Sequence, residues 1–292
     1  MTTFTEPDES GEPRSPRPRA LIVTIYGLYA RDSDGWLSVA SLIRLMADLG
    51  ADEPAVRSSI SRLKRRGLLD PSRVNGAAGY GLSVAGWQAL AEGDRRIFSR
   101  PRARLSDGWL LAVFSVPEAE RKQRHALRSR LSWLGFGTVS AGVWIAPGHL
   151  AGETQDVLER SGLAGYVALF RADYLAFGPV TGQLGRWWDT DRLQRMYAEF
   201  REVYGPLLRR WDDGSGGSDA AAFTTYVRAL TDWRRLPFLD PGLPAELLPT
   251  HWQGAQAADL FAQLRTHLED PAHRHVRAIT GTPTNARPQP TP

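Results

Sequence analysis

The chain has no cysteine among its 292 residues. This absence excludes a disulfide framework, a thiolate-bound metal and a cysteine nucleophile, and it is typical of a reducing cytoplasm. No apolar run is long enough to span a bilayer, and residues 1–19 are polar and proline-rich, unlike a signal peptide. We therefore expect a cytoplasmic protein with no membrane partner.

Lysine is nearly absent as well, since Lys64 and Lys122 are the only two. Arginine thus supplies almost all the positive charge of a chain whose formal net charge is +4 and whose pI is about 9.6. A basic pI suits a nucleic-acid partner, whereas high arginine with low lysine is also a mark of GC-rich genomes. The positions of the arginines must decide between these two interpretations.

Sequence signatures of catalysis are missing too. No glycine precedes a lysine, which excludes a P-loop, and the motifs GxGxxG, GxSxG and HExxH do not occur. His267, His273 and His275 are close in sequence but have no carboxylate at a clear metal-binding spacing. We predict no enzyme, no cofactor and no metal site.

Changes in pattern divide the chain into three predicted domains between two tails. Residues 1–18 and 279–292 are rich in proline and polar residues and are predicted to be disordered. The domains are a winged helix-turn-helix at 19–98, a ferredoxin-like domain at 99–178 and a helical domain at 179–278. The predicted fold class is α+β.

The first predicted domain contains three helices, a hairpin and a fourth helix. Ser38 and Asp52 are good N-caps for the second and third helices, and Asn75-Gly76 is a hairpin turn signal. Apolar residues at helical spacing mark the three buried stripes: Leu21, Ile22, Ile25 and Leu28; Val39, Leu42, Leu45, Met46 and Leu49; Val56, Ile60 and Leu63. This order of elements is that of a winged helix.

The second predicted domain alternates strands and helices. Trp109–Val116 and Tyr166–Phe170 are predicted to be its first and last strands. Strand-like residues 136–147 lie between two helices predicted at Glu118–Leu134 and Glu153–Ser161. Such a βαββαβ order suggests a small ferredoxin-like sheet.

The third helix carries the candidate DNA-reading residues. If its apolar stripe points inward, arginines and serines point outward, and no acid occurs between Ala55 and Arg66. Arginine binds guanine edges in a bidentate manner, serine bonds to bases or phosphates, and cations at the helix end suit phosphates. With one residue of the hairpin, the predicted set is Arg57, Ser58, Ser61, Arg62, Lys64, Arg65, Arg66 and Arg73.

A basic helix end has a second interpretation. Cations near a helix C-terminus are favoured by the dipole, so an isolated basic end is most often a solvated face. Here the helix is third, after a helix and a tight turn and before a hairpin. That position favours DNA recognition.

Three segments, Leu49–Leu69, Trp133–Gly137 with Gly142–Pro147, and Trp233–Pro244, are distinctive. In this order they resemble the PaaX family of phenylacetate-pathway repressors. The resemblance implies a cytoplasmic homodimer that represses a catabolic operon by binding operator DNA. It further implies release from DNA by an aryl-acyl-CoA, phenylacetyl-CoA in the founding pathway.

The chain departs from this family at the hairpin turn. Where the family often has arginines before a tyrosine, Gly76–Tyr80 reads GAAGY. Arg73 is the one residue nearby that could supply a DNA contact from the hairpin.

The middle domain also resembles Cas2 proteins, which are nuclease-like and place an acidic residue at the end of the first strand to hold a metal. The matching region here contains Ser115, and a hydroxyl does not replace a carboxylate for a hard cation. We therefore predict a dimer-forming scaffold.

The helical domain is the predicted effector-binding region, because an acyl-CoA needs cations for its phosphates and an apolar slot for its acyl group. Aromatic residues at helical spacing are also typical of a core, and that interpretation stays open. The candidate residues are Trp187, Trp188, Tyr197, Tyr204, Trp233, Arg234 and Arg235.

Three functions follow from these observations. The first is an effector-responsive repressor of an aromatic or acyl-CoA catabolic operon. The second is a metal-dependent, nuclease-like protein, against which the missing acidic residue argues. The third is a DNA-binding module without an acyl-CoA effector, against which the large aromatic C-terminal region argues.

Overall fold

The computed structural model describes residues 18–98, 102–175 and 177–281. The two predicted tails, 1–18 and 279–292, lie almost entirely outside these residues. Within them the protein is mixed α/β with antiparallel sheets. The helices are α1 Pro18–Ile25, α2 Val39–Asp48, α3 Glu53–Arg65, α4 Val84–Phe98, α5 Arg121–Leu134, α6 Ala151–Arg160, α7 Thr181–Trp187, α8 Thr190–Asp212, α9 Asp219–Trp233, α10 Leu236–Leu239 and α11 Gly254–Thr280. The strands are β1 Trp36–Ser38, β2 Leu69–Val74, β3 Ala77–Leu82, β4 Trp109–Phe114, β5 Gly137–Ser140, β6 Val143–Pro147 and β7 Val167–Ala172.

The chain divides into two compact units. The first takes in the described residues up to Gly93, together with Glu202–Asp232 and the described residues from Ala258 onward. The second consists of Asp94–Arg201 and Trp233–Ala257. The helical segment 179–278 therefore contributes to both units.

The first unit contains a three-stranded antiparallel sheet in the order β1-β3-β2. Asn75 and Gly76 have φ angles of 50° and 80°, which is the left-handed turn that their sequence predicts. Trp36–Ser38, which precedes α2, is a short strand paired with β3, with Leu37 opposite Tyr80. Three residues are too few for a period-2 pattern, so pairing with β3 decides this conformation.

Helices α1, α2 and α3 pack most of their predicted apolar stripes into the core of the first unit, where Ile22, Leu45 and Val56 are fully buried, whereas Leu28 and Val39 are half-buried. Phe223 of α9 and Leu264 of α11 are fully buried in the same unit. The C-terminal helices therefore complete a core that the N-terminal helices begin.

Buried hydroxyl groups fix the first helix against its neighbours. Thr24 and Thr231 share a hydrogen bond of 2.8 Å between α1 and α9. Tyr26 donates to the carbonyl oxygen of Tyr80 in β3 at 2.9 Å. Burial raises the pKa of Tyr26 well above its usual range, so that its hydroxyl remains a neutral donor at physiological pH.

Two polar contacts tie α2 to the C-terminal helices. Arg228 of α9 donates to the carbonyl oxygen of Leu49 at 3.1 Å, which satisfies a carbonyl at the end of α2. His275 of α11 lies 2.7 Å from a carboxylate oxygen of Asp48. Both contacts act on the last turn of α2, immediately before α3.

The second unit is built on a four-stranded antiparallel sheet in the order β5-β6-β4-β7. Helix α5 connects β4 to β5, and α6 connects β6 to β7. Leu127 and Leu131 of α5 and Leu158 of α6 form a core cluster with β4 and β6. The opposite face of the sheet forms a second cluster of Trp109, Ile145, Leu184, Trp188 and Leu243.

In the second unit a buried arginine joins the last turn of α4 to three further helices. Arg96, in the last turn of α4, is 6% exposed. Its guanidinium donates to the carbonyl oxygens of Trp133 and Leu134 at the end of α5, and its Nε lies 3.4 Å from a carboxylate oxygen of Glu153 in α6. The guanidinium carbon stands 4.5 Å from the ring centre of Trp133 and 5.5 Å from that of Phe238 in α10.

Replacing this arginine tests its role in folding. We expect Arg96→Ala to lower the free energy of unfolding by about 3–5 kcal/mol, because it leaves Glu153 and two helix carbonyls without their partner. Arg96→Lys should recover only part of the loss, since an ammonium cannot make the same planar set of bonds. Urea titration followed by tryptophan fluorescence measures both variants.

The neighbouring Arg95 is exposed and supplies the matched control. Arg95→Ala should change the free energy of unfolding by about 0.5 kcal/mol or less. Equal effects of Arg95→Ala and Arg96→Ala would contradict a special structural role for Arg96.

Candidate nucleic-acid interface

Helix α3 presents one buried and one exposed face. Val56, Ile60 and Leu63 are 0%, 3% and 2% exposed and form the inner stripe, as the sequence predicts. The outer face carries small hydroxyls and cations in exposed positions: Arg57, Ser58, Ser61, Arg62, Lys64 and Arg65. Arg66 is only half-buried at the C-cap of the helix.

The first turn of α3 is organised by two acids. Asp52 caps the helix by accepting a hydrogen bond of 2.7 Å from the backbone N–H of Ala55. Glu53 holds Arg57 in an ion pair, with a carboxylate oxygen 2.7 Å from the guanidinium. This pair was not anticipated, although an acid four residues before an arginine on a helix is its sequence signal.

The exposed charged side chains in the second half of α3 are all positive. Among the residues that the structure describes, no carboxylate forms an ion pair with Arg62, Lys64 or Arg65. The helix dipole stabilises positive charge in this last turn. The exposed guanidinium groups of Arg62 and Arg65 are therefore free to bind an anion such as a phosphate, or the edge of a base.

The position of α3 is fixed at its C-terminal end by Gly67 and Ser83. Gly67 has a φ of +69°, which ends the helix. The Ser83 hydroxyl donates to the Gly67 carbonyl oxygen at 2.5 Å and accepts from the N–H of Gly86 at 3.0 Å. Ser83 was missed in the sequence, where a serine directly before a helical run is its signal.

The hairpin of β2 and β3 brings one candidate residue to its turn. Arg73 is exposed, and its guanidinium lies 3.4 Å from the carbonyl oxygen of Gly76. Ala77 and Ala78 follow, with no further cation. This hairpin therefore offers a single positive charge near its tip.

The candidate effector residues do not form one cluster. Trp187 and Trp188 contact each other and Trp109, with ring centres 5.8 to 6.1 Å apart. Tyr197 and Trp233 form a separate pair with ring centres 6.3 Å apart. Tyr204 belongs to the first compact unit and the other six to the second.

The polar side-chain atoms of four of these candidates form hydrogen bonds within the protein. The indole nitrogen of Trp188 donates to the Gly135 carbonyl oxygen at 2.9 Å, and that of Trp233 donates to the Ile97 carbonyl oxygen at 3.2 Å. The hydroxyls of Tyr197 and Tyr204 donate at 2.7 Å to Asp240 and Asp232 respectively. These contacts are typical of core residues, whereas Trp187 is half-buried and Arg235 is exposed.

The three clustered histidines pair with three different acids. His267 lies 3.0 Å from Asp212, His275 lies 2.7 Å from Asp48, and the Nε2 of His273 lies 3.9 Å from Asp32. Over the described residues, no group of three or more histidine and acidic side chains is suited to hold a metal ion. In the second unit, β4 ends at Phe114 and is followed by Ser115, a residue without a carboxylate.

None of the described helices is both long and apolar enough to cross a membrane.

Comparisons with known proteins match successive segments of the chain. Residues 17–86 match the model of PaaX-like proteins, residues 102–182 that of the PaaX central Cas2-like domain, and residues 188–278 that of the PaaX-like C-terminal domain.

Two individual proteins are similar over most of their lengths. The transcriptional repressor PaaX of Escherichia coli K12 is 26% identical over 275 residues, which are 93% of this chain and 86% of the relative. The solved structure of the uncharacterised protein Rv0674 from Mycobacterium tuberculosis has a TM-score of 0.55 at 23% identity, covering 90% of this chain and 100% of that one. With three family models matched in order, the chain belongs to the PaaX family.

Proposed function

We propose that this protein is a DNA-binding transcriptional repressor that reads its operator with α3. The observation that carries the proposal is the exposed face of this helix, on which arginines and serines stand above a buried apolar stripe. The similarity to a transcriptional repressor over most of both chains supports it.

The order of elements supports a finer description of the fold. In residues 18–98, a short strand, two helices and an antiparallel hairpin follow the first helix, which is the order of a winged helix-turn-helix. In residues 102–175, the sheet order β5-β6-β4-β7 with α5 and α6 as connections is that of a ferredoxin-like βαββαβ domain. We assign these two folds to the two segments.

We further propose that the protein acts as a homodimer in the cytoplasm. A single winged helix buries little DNA, and specific affinity usually comes from two half-sites read by a symmetric dimer. The ferredoxin-like segment is the proposed dimer-forming scaffold. With Ser115 after β4, its role is structural and not that of a metal-dependent nuclease.

Replacing Arg62 tests whether α3 reads sequence. Arg62→Ala should weaken binding to a selected operator by about 1–3 kcal/mol, because a bidentate contact to a base edge is lost. On a scrambled duplex the loss should be smaller. Fluorescence anisotropy titrations of both duplexes measure the two affinities. The stoichiometry of the titration should be two chains for each operator.

Arg160 is an exposed arginine of α6 and serves as the control. Arg160→Ala should leave the preference for the operator unchanged. Equal losses on the operator and the scrambled duplex for Arg57→Ala, Ser58→Ala and Arg62→Ala, in folded protein, would refute sequence reading by α3.

The Glu53–Arg57 ion pair makes a separate prediction. An exposed i,i+4 pair contributes only about 0.3–0.5 kcal/mol, less than a good bidentate base contact at about 1–3 kcal/mol. DNA therefore competes successfully for Arg57. Glu53→Gln should tighten operator binding severalfold, because it releases this arginine and removes a negative charge close to the duplex.

A double-mutant cycle isolates the role of Arg57. If Arg57 contacts DNA, the gain from Glu53→Gln should be smaller in the Arg57→Ala background, where no guanidinium is released. The same gain in both backgrounds would mean that Glu53 acts only through repulsion of phosphates and that Arg57 makes no contact.

We also propose that an aryl-acyl-CoA thioester, such as phenylacetyl-CoA, relieves repression. The family assignment motivates this effector, and Trp187 and Arg235 are the candidate residues most accessible to it. An effector releases DNA only if it binds the DNA-free conformation more tightly than the DNA-bound one.

A ligand panel tests the effector. Aryl-acyl-CoA thioesters should raise the melting temperature and weaken operator binding, whereas the corresponding free acids should do neither, because the CoA phosphates supply charge recognition. Arg235→Ala should reduce the thermal shift. If neither thioesters nor free CoA bind in calorimetry, the effector belongs to another chemical class, while DNA binding by α3 remains a separate question.

A further inference from the structure

The second unit carries a basic surface on α5 that α3 and its DNA contacts do not explain. From Arg121 to Gly152 the sequence contains no aspartate or glutamate. Arg121, His125 and Arg128 occupy positions i, i+4 and i+7 of α5 and are exposed on one side of it. Lys122 is exposed beside them. We call these four residues the α5 basic surface.

The charges of the α5 basic surface are not neutralised within the described residues. Arg121, Lys122 and Arg128 form no ion pair there. The two acids just before α5 bind other residues than these three. Glu118 pairs with Arg124 of α5 at 2.8 Å, and Glu120 accepts a hydrogen bond from Tyr166.

The opposite side of α5 packs into the protein core. Leu127, Leu131 and Leu134 are fully buried in the cluster beneath the helix, so no apolar face is left to enter a membrane. Arg128 lies 5.9 Å from the ring centre of Trp144, a contact that restrains its guanidinium without removing its charge. The surface is thus a row of exposed basic side chains, of which Arg128 is restrained.

The spacing and chemistry of this row fit the backbone of duplex DNA. Arg121 to Arg128 span roughly 10 Å at about 1.5 Å per residue, which equals the axial rise of about three phosphates on one DNA strand. The exposed hydroxyls of Ser129 and Ser132 add donors for phosphate oxygens. The exposed positions of α5 carry no phenylalanine, tyrosine or tryptophan, the large aromatic side chains on which the bases of single-stranded nucleic acid stack.

We propose that the α5 basic surface binds the phosphate backbone of duplex DNA without regard to sequence. It supplies affinity that depends on salt, whereas α3 supplies specificity. The proposal rests on the proposed function, because the duplex concerned is the one that carries the operator.

The test uses the full chain with Arg121, Lys122 and Arg128 changed together to glutamine, which preserves helix propensity. A matched control carries the same three-charge change at Arg160, Arg192 and Arg195, which are exposed elsewhere in the second unit. Affinities for the operator and a scrambled duplex of equal length are measured over a series of salt concentrations. Thermal unfolding verifies that both variants are folded.

The plot of log affinity against log salt falls with a slope whose magnitude decreases by about 0.9 for each lost phosphate contact. For the α5 variant this magnitude should therefore decrease by about two to three units for each bound chain, equally on both duplexes. The variant should also bind at least tenfold more weakly. Its preference for the operator should be unchanged. The control should retain the wild-type slope.

A slope for the α5 variant equal to that of the control would overturn the proposal. So would normal duplex binding combined with a selective loss of affinity for a structured RNA, which would identify RNA as the partner. Failure of the proposed function is distinguishable, because in that case the wild-type protein shows no preference for any selected duplex over its scrambled version.

Discussion

The second unit depends on one buried cation. Arg96 is charged and 6% exposed, a position that is costly unless every part of the guanidinium has a partner. Two carbonyl oxygens at the end of α5, the carboxylate of Glu153 and two aromatic rings provide those partners. Because the α5 carbonyls carry the negative end of the helix dipole, the arginine also stabilises α5 itself. The last turn of α4, α5, α6 and α10 are positioned together by this one side chain.

Helix α3 of the first unit is held by a different principle. Its inner face is apolar and buried. The contacts on its outer face are weak because their side chains are exposed to water. The Glu53–Arg57 pair is the clearest example, because its two side chains are 50% and 60% exposed. Under the proposed function, breaking such an exposed pair would subtract little from the free energy of DNA binding.

Local features of the first unit could be predicted from sequence because each has a short-range physical cause. The caps at Ser38 and Asp52 and the turn at Asn75-Gly76 occur where the sequence predicts them. The inward face of α3 follows from the spacing of three apolar residues. These features need no knowledge of distant parts of the chain.

Long-range contacts could not be predicted in the same way. Within the run of Asp94, Arg95 and Arg96, the sequence gives no sign that Arg96 is buried. The two carbonyl oxygens to which it donates lie 37 and 38 residues away, and its partners Glu153 and Phe238 lie further still. Composition groups the candidate effector residues together, yet their aromatic rings form two separate clusters in the second unit, and Tyr204 lies in the first unit. Sequence proximity identifies a helix face, but tertiary packing decides which faces meet.

The packing of the first unit connects its C-terminal helices to the end of α2. Arg228 of α9 and His275 of α11 contact Leu49 and Asp48, the residues that end α2 just before α3 begins. If an effector favoured another arrangement of α9 or α11, these two bonds would connect that change to the end of α2. By thermodynamic linkage, operator DNA would then weaken binding of that effector by the same factor by which the effector weakens binding of DNA.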